Sequence, residues 1–584
     1  MLKNVNIRAT ALKEFWGEDY DEALYLWDGA KHNLTLGEME ELNFKTSKDV
    51  FSTNEAIGSA IARCKEIYFR YLPVLSKQLN KYHGLNLSSE FWQIAFGYWF
   101  YRHICIVFDK YENLSKLDID CTSIKLLDKK SFYTPFDYYD HVTYFGNDWG
   151  VQQLVSEYYY HFANKEFGII EKRSERINKY VVPKTKRNKK DGIKSFLNFK
   201  VPYSIKVFLK RLVKPKLVLL DANYAKNLVF NLFIRSRGSI IAIDLPKVDV
   251  NTNNINMTSR RTIFDVETND KFEAYFIGSL LYSMPSIFIE NFKNHYNTYL
   301  KDIKQSQFSH IVSEGWIGRS NTAIYCALAN ENQKQFIFQE HAAGHSILDN
   351  SNLWIYSSFP NLFLTTGWTF ENTNFIKGGF LAKDSRKYKF DNKKSDILFI
   401  SHAAYPYLVE YSSHCFNSLF LSEIYSMNNL IDSVPSSLLS DFKYRPRKAP
   451  HLWDTAYTLG LNEREELIDN GNFSESIINS RIVIIDHIST GIAELLLIDV
   501  PFLLMLHPHT GITQEAKSVI DNLFACGVAH RTPESVIKKL NEVYDRVEEW
   551  WGTDEIKSSV SEFKSAFIAP PSYTFNFLFS CIKR

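Results

Sequence analysis

Cysteine is scarce in this chain: seven in 584 residues, at positions 64, 105, 121, 326, 415, 526 and 581. No pair has CxxC spacing and none joins a Cys/His cluster, which excludes a zinc-finger or disulfide scaffold. An odd, dispersed set is expected of reduced thiols in a cytoplasm. An excess of one charge is lacking too. Lys and Arg total 68 against 66 Asp and Glu, so no global field favours nucleic acid. No long apolar run occurs. The most hydrophobic window, 91–108, is broken by Gln93, Arg102 and His103 and reads as a buried helix, not a membrane span. The first twenty residues lack the apolar core of a signal peptide. Several catalytic signatures are missing as well. There is no GxxxxGK[ST], no GxGxxG after the first strand of either half, no GxSxG and no HExxH. Their absence argues against a P-loop ATPase, a dinucleotide oxidoreductase, a nucleophile-elbow hydrolase and a zinc protease. Two DxD triplets, Asp19-Tyr20-Asp21 and Asp118-Ile119-Asp120, are of a kind common by chance, and neither is assigned a metal.

What is present is 45% apolar and 15% aromatic, ample for the cores of two or three domains. Residues 1–170 read as a helical, aromatic-rich region, with apolar helical spacing over 56–82, 90–109 and 151–162. Residues 171–216 carry sixteen Lys and Arg against Glu171, Glu175 and Asp191, with Phe196, Phe199, Tyr203 and Phe208 interleaved. This is a solvated linker or flap, or else a contact with anionic lipid headgroups or an anionic glycan. Short β-branched runs then recur at 217–220, 239–243, 310–312, 336–338 and 362–365, separated by helical stretches. A polar patch at 383–395 precedes a second series at 397–401, 440–445, 482–485 and 502–506. The expected fold is α/β: two Rossmann-like parallel-sheet domains, 217–390 and 391–584, facing a cleft. Ligands of such sheets bind at the carboxyl ends of strands.

Three strand ends carry chemistry. After 482–485 come Ser489, Thr490 and Gly491, then a helical stretch with Glu494 one turn on. A helix start offers unpaired N–H groups and a positive dipole end to phosphate. Two hydroxyls and a glycine sharpen that site, and Glu494 can accept from ribose hydroxyls. After 310–312 come Glu314 and Gly315; after 336–338 come Glu340, His341 and Gly344. Glu314 or Glu340 is placed to serve as base or nucleophile, His341 to assist a leaving phosphate, and Gly344 to allow close backbone approach. Arg445 and Arg447 follow another strand and can neutralise a diphosphate or a sugar carboxylate. His507 and His509 end the last strand and either reach the nucleotide or form a polar turn.

With these residues the sequence resembles a family of transferases encoded in bacterial O-antigen and surface-polysaccharide clusters. The likeness lies in Leu79-Asn80-Lys81-Tyr82-His83-Gly84, Phe91-Trp92-Gln93-Ile94, Gly97-Tyr98-Trp99, Asp109-Lys110 and Asn147-Asp148-Trp149. It continues in Gln339-Glu340-His341, Leu364-Thr365-Thr366-Gly367-Trp368 and Ser489-Thr490-Gly491 with Glu494. The chain departs from the family pattern at Glu340-His341-Ala342-Ala343, where Gln-His-Gly-Gly is expected. It departs again at Arg447-Lys448-Ala449-Pro450, where an acid and Tyr-Gly-Trp are expected. The resemblance implies a metal-independent glycosyltransferase of GT-B type, needing no cofactor, with the nucleotide held by the C-terminal half. Ser313-Glu314-Gly315 is similar to the acidic-acidic-Gly motif of bacterial sialyltransferases, which implies a CMP-activated ulosonic acid (sialic-like, pseudaminic-like or Kdo) as donor. A nucleotide-diphosphate hexose is the runner-up. The expected partners are this donor and a glycan or lipid-linked acceptor of a surface polysaccharide, at the cytoplasmic face of the membrane. The N-terminal block, with His83, Trp99 and Arg102, would shape the acceptor site. Asp137 and Asp148 remain alternatives as nucleophile. An epimerase or polyol-phosphate transferase on a similar scaffold, and a non-catalytic glycan-assembly scaffold, are the rival readings.

Overall fold

The computed structural model describes residues 5–583 apart from 17–21, 42–44, 118–121, 163–167, 171–213, 222–223, 225, 252–253, 342–343, 350–351, 371–372, 382–385, 392 and 412–416. Most of the basic segment and both DxD triplets lie wholly or partly outside the described residues. Among those described, Cys64, Cys105, Cys326 and Cys526 are free thiols, and no helix is long and apolar enough to cross a membrane.

Two parallel sheets dominate. The first has six strands in the order Phe375–Ile376, Leu362–Leu364, Gln335–Gln339, His310–Ser313, Leu217–Leu220, Ile240–Ile243. The second has five, in the order Phe442–Arg445, Ile397–Ile400, Ile482–Ile485, Phe502–Met505, Ala529–His530. Leu217–Leu220, Ile397–Ile400, Ile482–Ile485 and Phe502–Met505 are buried at every position. Helices cover both faces of such strands, so their sequences are unbroken apolar runs without alternation. In each sheet the chain starts in the middle and reverses direction of travel. The reversal falls between Leu217–Leu220 and His310–Ser313 in one sheet, and between Ile397–Ile400 and Ile482–Ile485 in the other. These are the switch points where crevices open at carboxyl ends, and Glu314 lies at one and Asp486 at the other. Two such lobes facing a cleft form the GT-B-like architecture expected from the sequence.

The N-terminal region departs from the expected helical block in two ways. It contains a four-stranded parallel sheet, Lys45–Thr46, Glu22–Tyr25, Val5–Arg8 and Thr122–Ser123. Strands of two to four residues are too short to show a period. Its long helices, Asn54–His83 and Ser89–Ser115, also do not form a core of their own. Twenty of the 27 residues of Ser89–Ser115 are buried, and its aromatics share one core with Phe276, Phe288 and Phe292 and with the face of the first sheet at Val218, Ile311 and Phe338. A helix apolar on nearly all sides must be enclosed, and this one lies between Asn54–His83 and the first lobe.

Two features tie the lobes together. Leu348 bridges to Ile512, flanked by Asp349 N–H to Gly511 O (3.1 Å) and Thr513 N–H to Ile347 O (2.9 Å). The last helix, Ser572–Lys583, returns to the first lobe, where Leu578 and Cys581 pack with Leu217, Val312 and Ile337. The second stretch expected from 391 onward therefore does not close on itself. The return passes between two glycines. A Cβ on Gly379 would lie 2.0 Å from Pro570 O, and one on Gly367 (φ +155°) 2.2 Å from Ala569 N. Gly379→Val is expected to cost about 2 kcal/mol or more by overpacking this crossing. Gly58→Ala, on an exposed helical position with open space around it, should stabilise by about 0.5–1 kcal/mol. Chemical denaturation of the two variants against the parent checks both signs.

Candidate functional site

The carboxyl edges of the two sheets enclose a cleft of about 660 Å³, within the range of about 300–1,000 Å³ typical of small-ligand sites. The first lobe contributes Glu314 and His341. Ser313 pairs with Phe338 in register, so the loops leaving these strands start side by side. Glu314 Oε1 lies 2.9 Å from His341 Nδ1. The carboxylate is nearly buried, whereas the imidazole is 54% exposed. With Nδ1–H donating to the carboxylate, Nε2 is the ring's remaining polar atom.

Glu340 lines the same cleft but is already committed. Its Oε2 accepts from Thr366 N–H (2.7 Å) and from Trp368 Nε1–H (2.9 Å), and its Oε1 lies 3.0 Å from His345 Nδ1. With a fully buried side chain, it organises the first-lobe edge instead of offering a carboxylate to a substrate. Tyr224 donates to Gln339 beside it and stays protonated, because burial raises its phenol.

The second lobe contributes the helix Thr490–Ile498. Ser489 is its N-cap, with Oγ accepting from Gly491 N–H at 3.2 Å. A Cβ on Gly491 would sit 3.3 Å from Ile485 Cδ1. Ser489, Thr490 and Gly491 are half-buried and line the cleft, as does Glu494 one turn on. The helix start is thus open to a ligand and faces Glu314 and His341. Arg445, Arg447 and Lys448 line the same wall. Arg445 is occupied: it pairs with Asp469, donates to Gly471 O (3.0 Å) and Ser476 Oγ (3.2 Å), and stacks over Phe473. Burial raises the Asp469 carboxyl, yet hydrogen bonds from Gly471, Ser476 and Arg445 outweigh it and hold it below its usual range. Arg447 and Lys448 are exposed, Lys448 Nζ lying 3.3 Å from Asn470 Oδ1, and add positive charge to this wall.

Other sequence candidates lie elsewhere. Gly315 and Gly344 do not line the cleft. A Cβ on Gly315 would meet Asp221 Cβ at 2.8 Å, and Gly344 sits at φ +116° against Ile488, so both serve packing. His83 is buried against Phe292 with Nε2 on Phe288 O, and Trp99 stacks on His103 in the aromatic core. Arg102 makes a two-pronged pair with Glu410, at 2.8 and 2.6 Å. None of the three reaches the cleft, so the expectation that they shape an acceptor site there is not met. Asp137 caps the helix Tyr138–Phe145. Asp148 accepts from Ala11 N–H and Tyr407 OH and pairs with His32, and neither carboxylate lines the cleft. His507 is buried behind the cleft wall. Tyr224, Phe473 and His487 line the cleft without having been singled out in the sequence. The strand-end rule applied to Ile482–Ile485 one residue at a time would have found His487.

A helix start, two exposed cations and a carboxylate-bonded histidine thus share one cleft between two parallel-sheet lobes. Over residues 5–570 the chain matches the model of the LIC12162 family transferase, and it belongs to that family. A comparison with curated proteins gave no match. Among solved structures, the chain is similar to MurG of Acinetobacter baumannii (12% identity, TM-score 0.33, covering 63% of this chain and 100% of that one). It is also similar to the glycosyltransferase SnogD from Streptomyces nogalater (9%, 0.34, 62% and 98%). A third is WaaG, a glycosyltransferase involved in lipopolysaccharide biosynthesis (8%, 0.30, 63% and 99%).

Removing the Glu340 carboxylate strands Trp368 Nε1–H and Thr366 N–H in the interior. Glu340→Ala should therefore cost about 3 kcal/mol, whereas Arg447→Ala, exposed at the cleft, should change stability by no more than about 0.5 kcal/mol. Thermal unfolding of the full chain measures both; equal effects would contradict the division of roles.

Proposed function

We propose that this transferase moves a sugar from a nucleotide donor to a glycan acceptor, with His341 as general base. The observation that carries this reading is the Glu314–His341 hydrogen bond, set in one cleft with the helix start at Ser489–Gly491. His341 Nε2 takes the proton of an acceptor hydroxyl as that oxygen bonds to the anomeric carbon. The bond from that carbon to the leaving phosphate oxygen breaks with its electron pair. Glu314 holds the ring in the required tautomer and balances the imidazolium that forms. The departing phosphate gathers charge where the helix dipole, the Ser489 and Thr490 hydroxyls, Arg447 and Lys448 can meet it. Glu494 accepts from the ribose hydroxyls. Glu314 therefore orients the base instead of being it, and His341 works at the acceptor, not at the leaving group.

The donor we favour is a CMP-activated ulosonic acid. The Ser313-Glu314-Gly315 similarity supports it, and two exposed cations suit a donor carrying a sugar carboxylate as well as a phosphate. The acceptor is a bacterial surface glycan, free or lipid-linked, met at the inner face of the membrane. Calorimetry with CMP, UDP and GDP on the full chain tests the reading. CMP should bind most tightly; a preference for UDP or GDP would make the donor a nucleotide-diphosphate hexose, and no binding at all would leave a non-catalytic scaffold. His341→Ala should keep nucleotide affinity within about twofold while transfer falls on the order of 10³-fold. Near-parental turnover in that variant would remove His341 as base. Arg447→Ala should lower kcat/KM about tenfold, with kcat sharing in the fall, the loss of about 1.4 kcal/mol of transition-state stabilisation.

A further inference from the structure

We infer that the second lobe holds a divalent metal ion, zinc by its donor set, ligated by His402, Asp486 and His507 behind the wall of the cleft. The three residues follow the strands Ile397–Ile400, Ile482–Ile485 and Phe502–Met505, which are neighbours in the sheet. Parallel pairing thus delivers all three to one point. One ligand atom from each lies within 4.8 Å of the others, and the residues are only 8%, 2% and 4% exposed. Zinc holds N and O donors at about 2.0–2.2 Å, hence roughly 3.3 Å from one another, and side-chain rotation can close the difference.

Unsatisfied atoms point the same way. Asp486 Oδ1 is used, accepting from His402 N–H (2.9 Å) and lying 2.8 Å from His487 Nδ1. Asp486 Oδ2 and His507 Nε2 are buried without a hydrogen-bond partner, and both residues belong to the cluster of three; buried lone pairs left unmet are destabilising until a cation or proton meets them. Glu423, on the adjoining helix Asn417–Asp432, is engaged from outside: its Oε2 lies 2.6 Å from His402 Nε2 and its Oε1 pairs with His509, which leaves His402 Nδ1 on the side of Asp486. Asp486 would then bridge the ion to His487, which lines the cleft, so that the ion fixes the loop leading to Ser489.

The test uses the full chain, stripped with a chelator and titrated with Zn²⁺ alone, with elemental analysis of the dialysed product. One zinc per chain and a rise in thermal midpoint are expected. Asp486→Asn and His507→Ala should each weaken zinc binding by about tenfold or more, and His487→Ala, which removes only the outer partner, by about tenfold. If a ligand variant does not fold, the parent titration and His487→Ala still decide. A parent chain that takes up no stoichiometric zinc, or variants that bind it as the parent does, would show a purely hydrogen-bonded cluster and overturn the inference. Nucleotide binding plays no part in this readout, so its outcome is separate from that of the transferase reading.

Discussion

Parallel strand pairing is the constraint on which this molecule turns. Because each sheet runs its strands one way, every strand releases its following loop at the same edge, and side chains distant in sequence become neighbours there. The Glu314–His341 hydrogen bond is one product of that geometry, and the meeting of His402, Asp486 and His507 is another. Neither cluster depends on a local motif. Each depends on register, which the buried β-branched runs specify because a one-residue slip would turn apolar side chains out of the core.

The edge facing a substrate needs polar side chains in places where packing favours apolar ones. The structure meets this by giving most buried polar atoms a partner. Glu340 is held by a backbone amide, an indole and an imidazole, and Arg445 by an acid, a carbonyl and a hydroxyl. What these fixed groups surround is left freer: His341, Arg447, Lys448 and the helix start at Ser489. Rigid surroundings with a few accessible groups are what preorganised transfer chemistry requires. The lobes are joined at the Leu348–Ile512 bridge and by the returning helix Ser572–Lys583, so the two sides of the site are positioned by the fold before any ligand arrives.

Much of this was legible in the sequence. Leu217–Leu220 and Ile482–Ile485 match the expected strands residue for residue, and seven others differ by one or two residues at their ends, because continuous apolar runs bounded by polar turns have few alternatives; the two-residue edge strands Phe375–Ile376 and Ala529–His530 were not expected. The helix start at Ser489–Gly491 was legible for the same reason. What was not legible depends on partners far along the chain. Nothing near Glu340 announces that Thr366 and Trp368 will occupy its carboxylate, and nothing near His341 announces that Glu314 will orient it. His83, Trp99 and Arg102 were expected at an acceptor site, but nothing beside them in the sequence tells a residue that lines a cleft from one that packs in a core. The short strands from Val5–Arg8 to Thr122–Ser123 carry too little pattern to be seen at all.

The central claim is spatial: a nucleotide's phosphate rests on the start of the helix Thr490–Ile498, across the cleft from His341. A crystal structure of the full chain with bound CMP tests it directly. The account predicts phosphate oxygens within hydrogen-bond distance of the amides and hydroxyls at Ser489–Gly491, with the ribose beside Glu494. Nucleotide bound anywhere else on the molecule, with that helix start unengaged, would contradict it.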